Sequence, residues 1–225
     1  MPVSNGKVPT GIPGLDSLMG NGFEQGSINL ISGKTGTGKS IFCLQFLVNG
    51  ALKFGEKGLY ITTEETADYV KKQARVFGWD LDSLEKEGMI KVIDYEPFDI
   101  DTLTPKITEI VKETGAKRIV IDSVSMFELY ISEAFRIRKS MFKFLQRLKD
   151  MGLTTIVTAE ILEQSEGLSR SGVIEFLVDS VIILQYMTLA KYKRSLMIRK
   201  MRISRHSMNI HPFEITSRGI VVKSV

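Results

Sequence analysis

The chain has 225 residues, 43% of them hydrophobic and 25% charged, with a net charge of +4. That length buries one sizeable core, no linker-like or low-complexity stretch divides it, and no apolar run approaches the roughly 20 residues of a membrane span, so one uninserted domain over residues 1–225 is expected. The N-terminus, MPVSNGKVPTGIPG, has neither the basic start nor the apolar stretch of a secretion signal, and the lone Cys43 cannot form an internal disulfide, which together point to the cytoplasm.

Apolar runs rich in β-branched residues, SINLISG (27–33), GLYITTEE (58–65), MIKVIDY (89–95), RIVIDSV (118–124) and TTIVTAE (154–160), alternate with helical patterns at 39–54, 66–78, 101–115 and 132–152. Each helical pattern closes near a glycine suited to a C-terminal cap. The alternation predicts an α/β fold with a mainly parallel, doubly wound sheet covered by helices on both faces. From about Val181 the pattern changes to runs without helices between them, VIILQYMTL, KRSLMIRKMR, HPFEIT and GIVVK, which predicts a C-terminal antiparallel extension. No internal repeat of fixed period is present.

Between the first strand and the first helix stands GKTGTGKS, which satisfies GxxxxGK[ST] with Gly33, Gly38, Lys39 and Ser40 in the strand–loop–helix setting that this phosphate loop requires. Backbone N–H groups of Gly33, Lys34, Thr35, Gly36, Thr37, Gly38, Lys39, Ser40 and Ile41 can then surround the phosphates of ATP, assisted by the helix dipole. Lys39 is expected at the β- and γ-phosphates and the Ser40 hydroxyl on Mg2+. Asp122, ending the strand RIVID, is the second expected magnesium partner, acting through water.

Many ATPases carry a glutamate directly after that aspartate to orient the attacking water, whereas Ser123 stands here. The base must come from elsewhere, and the pair Glu64 and Glu65 after GLYITT is the best source, because parallel strands present their C-terminal ends to the ligand crevice. Neighbouring strand residues face opposite ways, so one of the two aims at the γ-phosphate; Glu64 is favoured, and the competing reading is that both acids begin the next helix. Thr158 and Glu160, ending TTIVTAE, fall at the same mouth as possible sensors of the γ-phosphate or as simple strand terminators. His206 and His211 lack partners at metal-ligand spacing, which argues against zinc and leaves polar contacts near the nucleotide or a subunit boundary. Cys43 and methionines such as Met141 read as core, and Trp79 as packed over the second helix or at an interface.

These motifs, with VPTGIPGLDSLMGNGFEQGS before the loop and GVIEFLVDSVIIL, KMR, RHSM and HPFEITSRGI after it, resemble a single KaiC-type domain of the RecA-like ATPases, of the single-domain archaeal type, over nearly the whole chain. The resemblance implies a RecA-like P-loop NTPase fold, ATP hydrolysis with Mg2+, a catalytic carboxylate within the paired glutamates, possible protein partners and a homo-oligomeric ring, commonly hexameric, with ATP between subunits. It also implies that Lys200 and Arg202, two apart on a predicted strand and so on one face, reach the neighbouring subunit's ATP like an arginine finger. Lys191, Lys193 and Arg194 read instead as a solvated basic face. The clock protein that names the family phosphorylates itself on adjacent Ser and Thr; here the corresponding loop holds the separated Ser169 and Ser171, so autophosphorylation is not expected. The alternative function is a RecA/RadA-like paralogue that binds single-stranded DNA. Its strand-binding loop would be 161–172, and Glu163, Glu166 and the single cation Arg170, without an aromatic residue, disfavour strong binding there.

Overall fold

The computed structural model describes residues 6–96, 100–131, 133–162, 167–187 and 192–223. In chain order the strands are β1 (Lys7–Val8), β2 (Phe23–Glu24), β3 (Ile28–Gly33), β4 (Gly58–Thr62), β5 (Ile90–Asp94), β6 (Arg118–Asp122), β7 (Thr154–Glu160), β8 (Ser180–Tyr186), β9 (Arg194–Met201), β10 (Ile210–Thr216) and β11 (Gly219–Val222). The α-helices are α1 (Lys39–Phe54), α2 (Ala67–Arg75), α3 (Leu81–Lys86), α4 (Ile100–Thr114), α5 (Ser125–Tyr130), α6 (Ala134–Asp150) and α7 (Ile174–Leu177). β1 and β2 form a small antiparallel ribbon, and the other nine strands form one sheet in the order β11-β10-β9-β8-β3-β7-β6-β4-β5.

The five expected strands and four expected helices are all present within a few residues of their predicted bounds. Ser132, the first residue of the last predicted helix, lies outside the described residues. The antiparallel extension begins one strand later than the sequence suggests: β8 runs parallel to β3, and only β9, β10 and β11 reverse direction. The connection that precedes β8 contains α7, a four-residue helix too short to show a period in the sequence. Thr188 and Leu189 of the predicted run lie outside the described residues.

Apolar side chains on the two sheet faces form two cores. One gathers α1, α2 and α3 with the N-terminal segment and β11; the other gathers α4, α5 and α6. α1 is buried on every side from Phe42 to Ala51, so its polar residues need partners inside the protein. Gln45 supplies both groups to β11, donating to Ile220 O at 3.0 Å and accepting from Ile220 N at 2.6 Å, while Asn49 donates to Thr10 O at 3.2 Å. The Asp16 carboxylate in turn gathers Thr10 N, Thr10 Oγ1 and Gly11 N at 2.7–2.9 Å, which explains the polar residues spaced through PTGIPGLDS. Trp79 stacks on Phe77 with ring centroids 4.9 Å apart and packs against this first core, the intramolecular of its two expected places. Cys43 is core.

The deepest charge is Arg118, 1% exposed at the start of β6. It pairs with Glu56 at 2.6 Å, donates to Phe46 O at 3.1 Å and lies over the Phe46 and Phe54 rings. Burial lowers its pKa, and Glu56 opposes that shift. Removing one partner of a buried pair strands the other charge, so Glu56→Ala is expected to lower the unfolding free energy by about 3 kcal/mol, measured by denaturant titration.

Candidate nucleotide site

The loop after β3 takes its shape from two backbone requirements. Gly36 and Gly38 hold φ of +76° and +110°, a region other residues resist. Crowding adds to this, because the sheet extension presses on the loop from outside: a Cβ on Gly33 would lie 2.5 Å from Leu184 O, on Gly36 2.7 Å from the Tyr186 hydroxyl, and on Gly38 3.1 Å from Ile215 Cδ1. Within the loop Thr37 donates to Lys34 O at 2.8 Å, and Lys39 reaches back from the first turn of α1 to Gly33 O and Lys34 O at 2.9 and 3.2 Å.

Two strand-end carboxylates, Asp122 and Glu160, and Glu64 from the bend after β4 act on Lys39. Burial lowers its pKa, while Glu160, Asp122 and Glu64 act in the opposite direction. Asp122 ends β6 as expected, with its two oxygens accepting from the Tyr60 and Thr158 hydroxyls, each at 2.5 Å. Burial raises the Tyr60 pKa well above its ordinary value, which keeps this donor protonated. Glu160 accepts from Thr35 of the loop at 3.3 Å, while its own N–H donates to Ser125 Oγ at 2.9 Å.

Glu64 and Glu65 are neither strand residues nor the start of a helix: β4 stops at Thr62, α2 begins at Ala67, and the pair occupies the bend between. Thr62 closes that bend, its hydroxyl accepting from Glu65 N at 3.0 Å and donating to Glu65 O at 3.1 Å. The two side chains diverge. Glu64 accepts from Ser123 Oγ on the Asp122 side, whereas Glu65 is held by Gln73 Nε2 at 3.0 and 3.2 Å. Ser123 follows a cis peptide bond, and its N–H donates to Thr63 Oγ1 at 2.9 Å. The pKa of Glu64 is raised by the protein packed around it and by Glu160 and Asp122, against the Ser123 hydrogen bond and Lys39; that of Glu65 is raised by desolvation and Asp122.

Arg202 lies just past the end of β9, so strand alternation does not set its direction relative to Lys200. Lys200 donates to Glu175 O and Val178 O at 3.1 and 2.7 Å, and Arg202 donates to Phe176 O at 3.2 Å and approaches Asp179 at 3.7 Å. Burial, and then Arg202, lower the Lys200 pKa. Through Val181, Lys200 is level with Leu30, so about 10 Å of strand length and two strand spacings, again about 10 Å, separate it from Gly33. It does not meet this chain's own loop.

Several residues join the site without a sequence signal. Arg194, expected in a solvated face, donates to Gly36 O at 3.3 Å with its guanidinium 5.2 Å from the Tyr186 ring centroid. Only antiparallel pairing, with Arg194 opposite Tyr186, brings it there. Lys193 is exposed, and Lys191, Glu163 and Glu166 lie outside the described residues. Tyr60 is one apolar-looking position in a buried strand, and Thr62, Thr63 and Ser123 act through a bend whose shape is tertiary. Ser169 and Ser171 are bonded to Glu175 and Glu128. His211 is buried and bonded to Ser207 at 2.7 Å, away from the phosphate loop.

A mostly parallel α/β sheet with a phosphate loop at its central strand and acidic residues beyond its strand ends defines a RecA-type P-loop ATPase domain. The chain belongs to the KaiC ATPase family: the family described as "ATPase: KaiC" matches residues 8–225. It is 40% identical over 234 residues to a UPF0273 protein of Thermotoga maritima, covering 96% of this chain and 95% of that one. The circadian clock oscillator protein KaiC of Synechococcus elongatus is 38% identical over 226 residues, and the match spans 43% of that longer protein. The crystal structure of a KaiC-like protein from Pyrococcus horikoshii superposes with a TM-score of 0.88 at 41% identity, covering 97% of this chain and 99% of that one.

The raised Glu64 pKa carries a sign. A carboxyl whose folded pKa lies above its ordinary value of 4.5 favours the folded state below that value, and the advantage is lost as pH rises through the raised pKa. Glu64→Gln keeps the group neutral and is therefore expected to raise the melting temperature at about pH 8, the gain vanishing toward about pH 4, as scanning calorimetry would show.

Proposed function

We propose that this chain is a Mg2+-dependent ATPase, acting as one KaiC-like domain over residues 1–225 in a cytoplasmic, ring-shaped homo-oligomer, commonly hexameric in this family, that couples hydrolysis to conformational or partner-binding change. The observation that carries the reading is the convergence of Lys39, Glu64, Asp122 and Glu160 at the end of a glycine-shaped loop. The carboxylates by themselves form no metal-binding group among the described residues, so a divalent cation here would be held together with the triphosphate, through Ser40 and Asp122. When bound, Mg2+ offsets charge on the phosphates and on the oxygens of the reaction.

In this reading Gly33 to Ile41 bind the phosphates by backbone N–H groups, Lys39 exchanges its loop carbonyls for phosphate oxygens, and Ser40 and Asp122 hold the metal. Tyr60 and Thr158 keep the Asp122 carboxylate oriented. Glu64 takes the proton of the attacking water, its raised pKa favouring that transfer, and Glu65, tied to Gln73, braces the bend. The nucleoside takes the cleft of about 300 Å³ that runs from Gly36, Lys39 and Ile41 to Gln73, Val76 and Phe77.

Lys200 and Arg202 act on the nucleotide of a neighbouring subunit. Their separation from the loop in the same chain supports a role across a boundary, and assembly would draw them from the carbonyls of residues 175–178.

Glu64→Ala is expected to lower turnover by about 100-fold or more while ATP still binds, read from phosphate release beside a nucleotide-binding titration; undiminished turnover would remove Glu64 from the base role. Mixing Lys39→Ala with Arg202→Ala subunits is expected to restore part of the activity that each lacks alone, because some interfaces then combine an intact loop with an intact arginine. Mixed rings that stay inactive would refute the shared site.

A further inference from the structure

The cleft beside the phosphate loop offers a nucleoside few polar side chains. Gly36 and Gly38 have none, Ile41, Val76 and Phe77 are apolar, and in the ATPase reading Lys39 and Ser40 serve the phosphates and the metal. Among the described residues that line the cleft, Gln73 is the polar side chain that remains. It stands near the end of α2, a helix anchored in the first core by Val70 and Ala74. Val76 and Phe77 follow it by three and four residues, the spacing that brings side chains onto one face. Val76 is 74% exposed, an apolar surface on which a flat ring can lie.

Glu65 fixes which end of the Gln73 amide is available. Gln73 Nε2 donates to both Glu65 oxygens, at 3.0 and 3.2 Å. An ionised carboxylate only accepts, so the amide nitrogen has to face it and the two ends of the amide cannot exchange. Gln73 Oε1 has no hydrogen-bond partner among the described residues. What the side chain holds out to a ligand is therefore an acceptor. That excludes phosphate oxygens, which are acceptors themselves, and the apolar Val76 and Phe77 beside it suit a base better than a ribose.

We infer that Gln73 is a specificity-determining residue for the base, held as an acceptor by Glu65 so that it selects the 6-amino group of adenine. Hypoxanthine and guanine carry a carbonyl at that position, and two oxygens would then face each other with no proton between them, one of them left unpaired in the cleft. Glu65 acts here as a positioning residue: it sets which end of the amide meets the base. The inference rests on the ATPase reading for the place of the nucleoside. It separates the two glutamates of the bend, with Glu64 turned to Asp122 through Ser123 and Glu65 turned to the base through Gln73.

The test is titration calorimetry of the full chain with ADP and with inosine diphosphate, each with Mg2+, at about pH 8 to keep Glu65 ionised. The two ligands differ only at the 6-position and the adjoining N1, and as diphosphates they report binding apart from turnover. ADP is expected to bind about tenfold more tightly. Gln73→Leu is expected to bring the two affinities together by weakening ADP. Gln73→Lys, which can still pair with Glu65 but presents only donors, is expected to reverse the preference. Glu65→Leu frees the amide to turn, and is expected to bring the affinities together by strengthening inosine diphosphate, a gain that a merely structural role would not produce. Equal binding of the two ligands by the unaltered chain, or an ADP preference that survives in Gln73→Leu or Glu65→Leu, would overturn the inference and leave the nucleotide site standing. So would a preference for ADP over its 2′-deoxy form that Gln73→Leu abolishes while inosine diphosphate matches ADP, since Gln73 would then read the ribose. Binding of neither diphosphate would remove the ATPase reading and this inference together.

Discussion

The structure depends on the rigid mounting of one short loop between β3 and α1. β3 is hydrogen-bonded to parallel neighbours on both sides, and α1 is enclosed from Phe42 to Ala51, its two buried amides fixed to β11 and the N-terminal segment. Neither end of the loop can shift without disturbing the packing around it, so its N–H groups have their direction before any ligand arrives. Preorganisation of this kind removes an ordering cost from binding. The extension continues the mounting, since Leu184, Tyr186 and Ile215 press on the three loop glycines, and a side chain at any of them would have to push a neighbour aside.

Around that fixed loop the polar groups are distributed by strand direction. Parallel strands place Glu64, Asp122 and Glu160 at one end of the sheet, where each lies close enough to Lys39 to influence its titration. Antiparallel β9 does the opposite, because one strand runs from one end of the sheet to the other: Arg194 sits beside the loop, and Lys200 and Arg202 lie at the far end among the carbonyls of residues 175–178. A single strand thus touches its own nucleotide loop at one end and leads at the other to two cations bonded to carbonyls of residues 175–178.

Motifs with local grammar were legible from the residues. The phosphate loop, the strand ending in Asp122 and the helix and strand periods all depend on neighbours within a few positions, and the structure contains each of them. The distinction between Glu64 and Glu65 was not, because strand alternation does not apply in a bend; Thr62 and Gln73 turn Glu65 aside, and Ser123 holds Glu64 beside Asp122. Arg194 stood in a run of cations that reads as solvated, and its contact with Gly36 exists only through the pairing of β8 with β9. β8 belongs to both parts of the sheet, parallel to β3 and antiparallel to β9, and α7 before it spans one turn and leaves no periodic trace in the sequence.

By itself, then, the sequence determined the class of domain, the loop that holds phosphates and the family to which the chain belongs, since these rest on short-range patterns with a backbone reason behind each residue. Tertiary structure alone decided which carboxylates share one lysine, which glutamate turns toward Asp122, and how far Lys200 and Arg202 stand from the loop of their own chain. Those relations join residues distant in sequence, and only strand order and register set the distances between them.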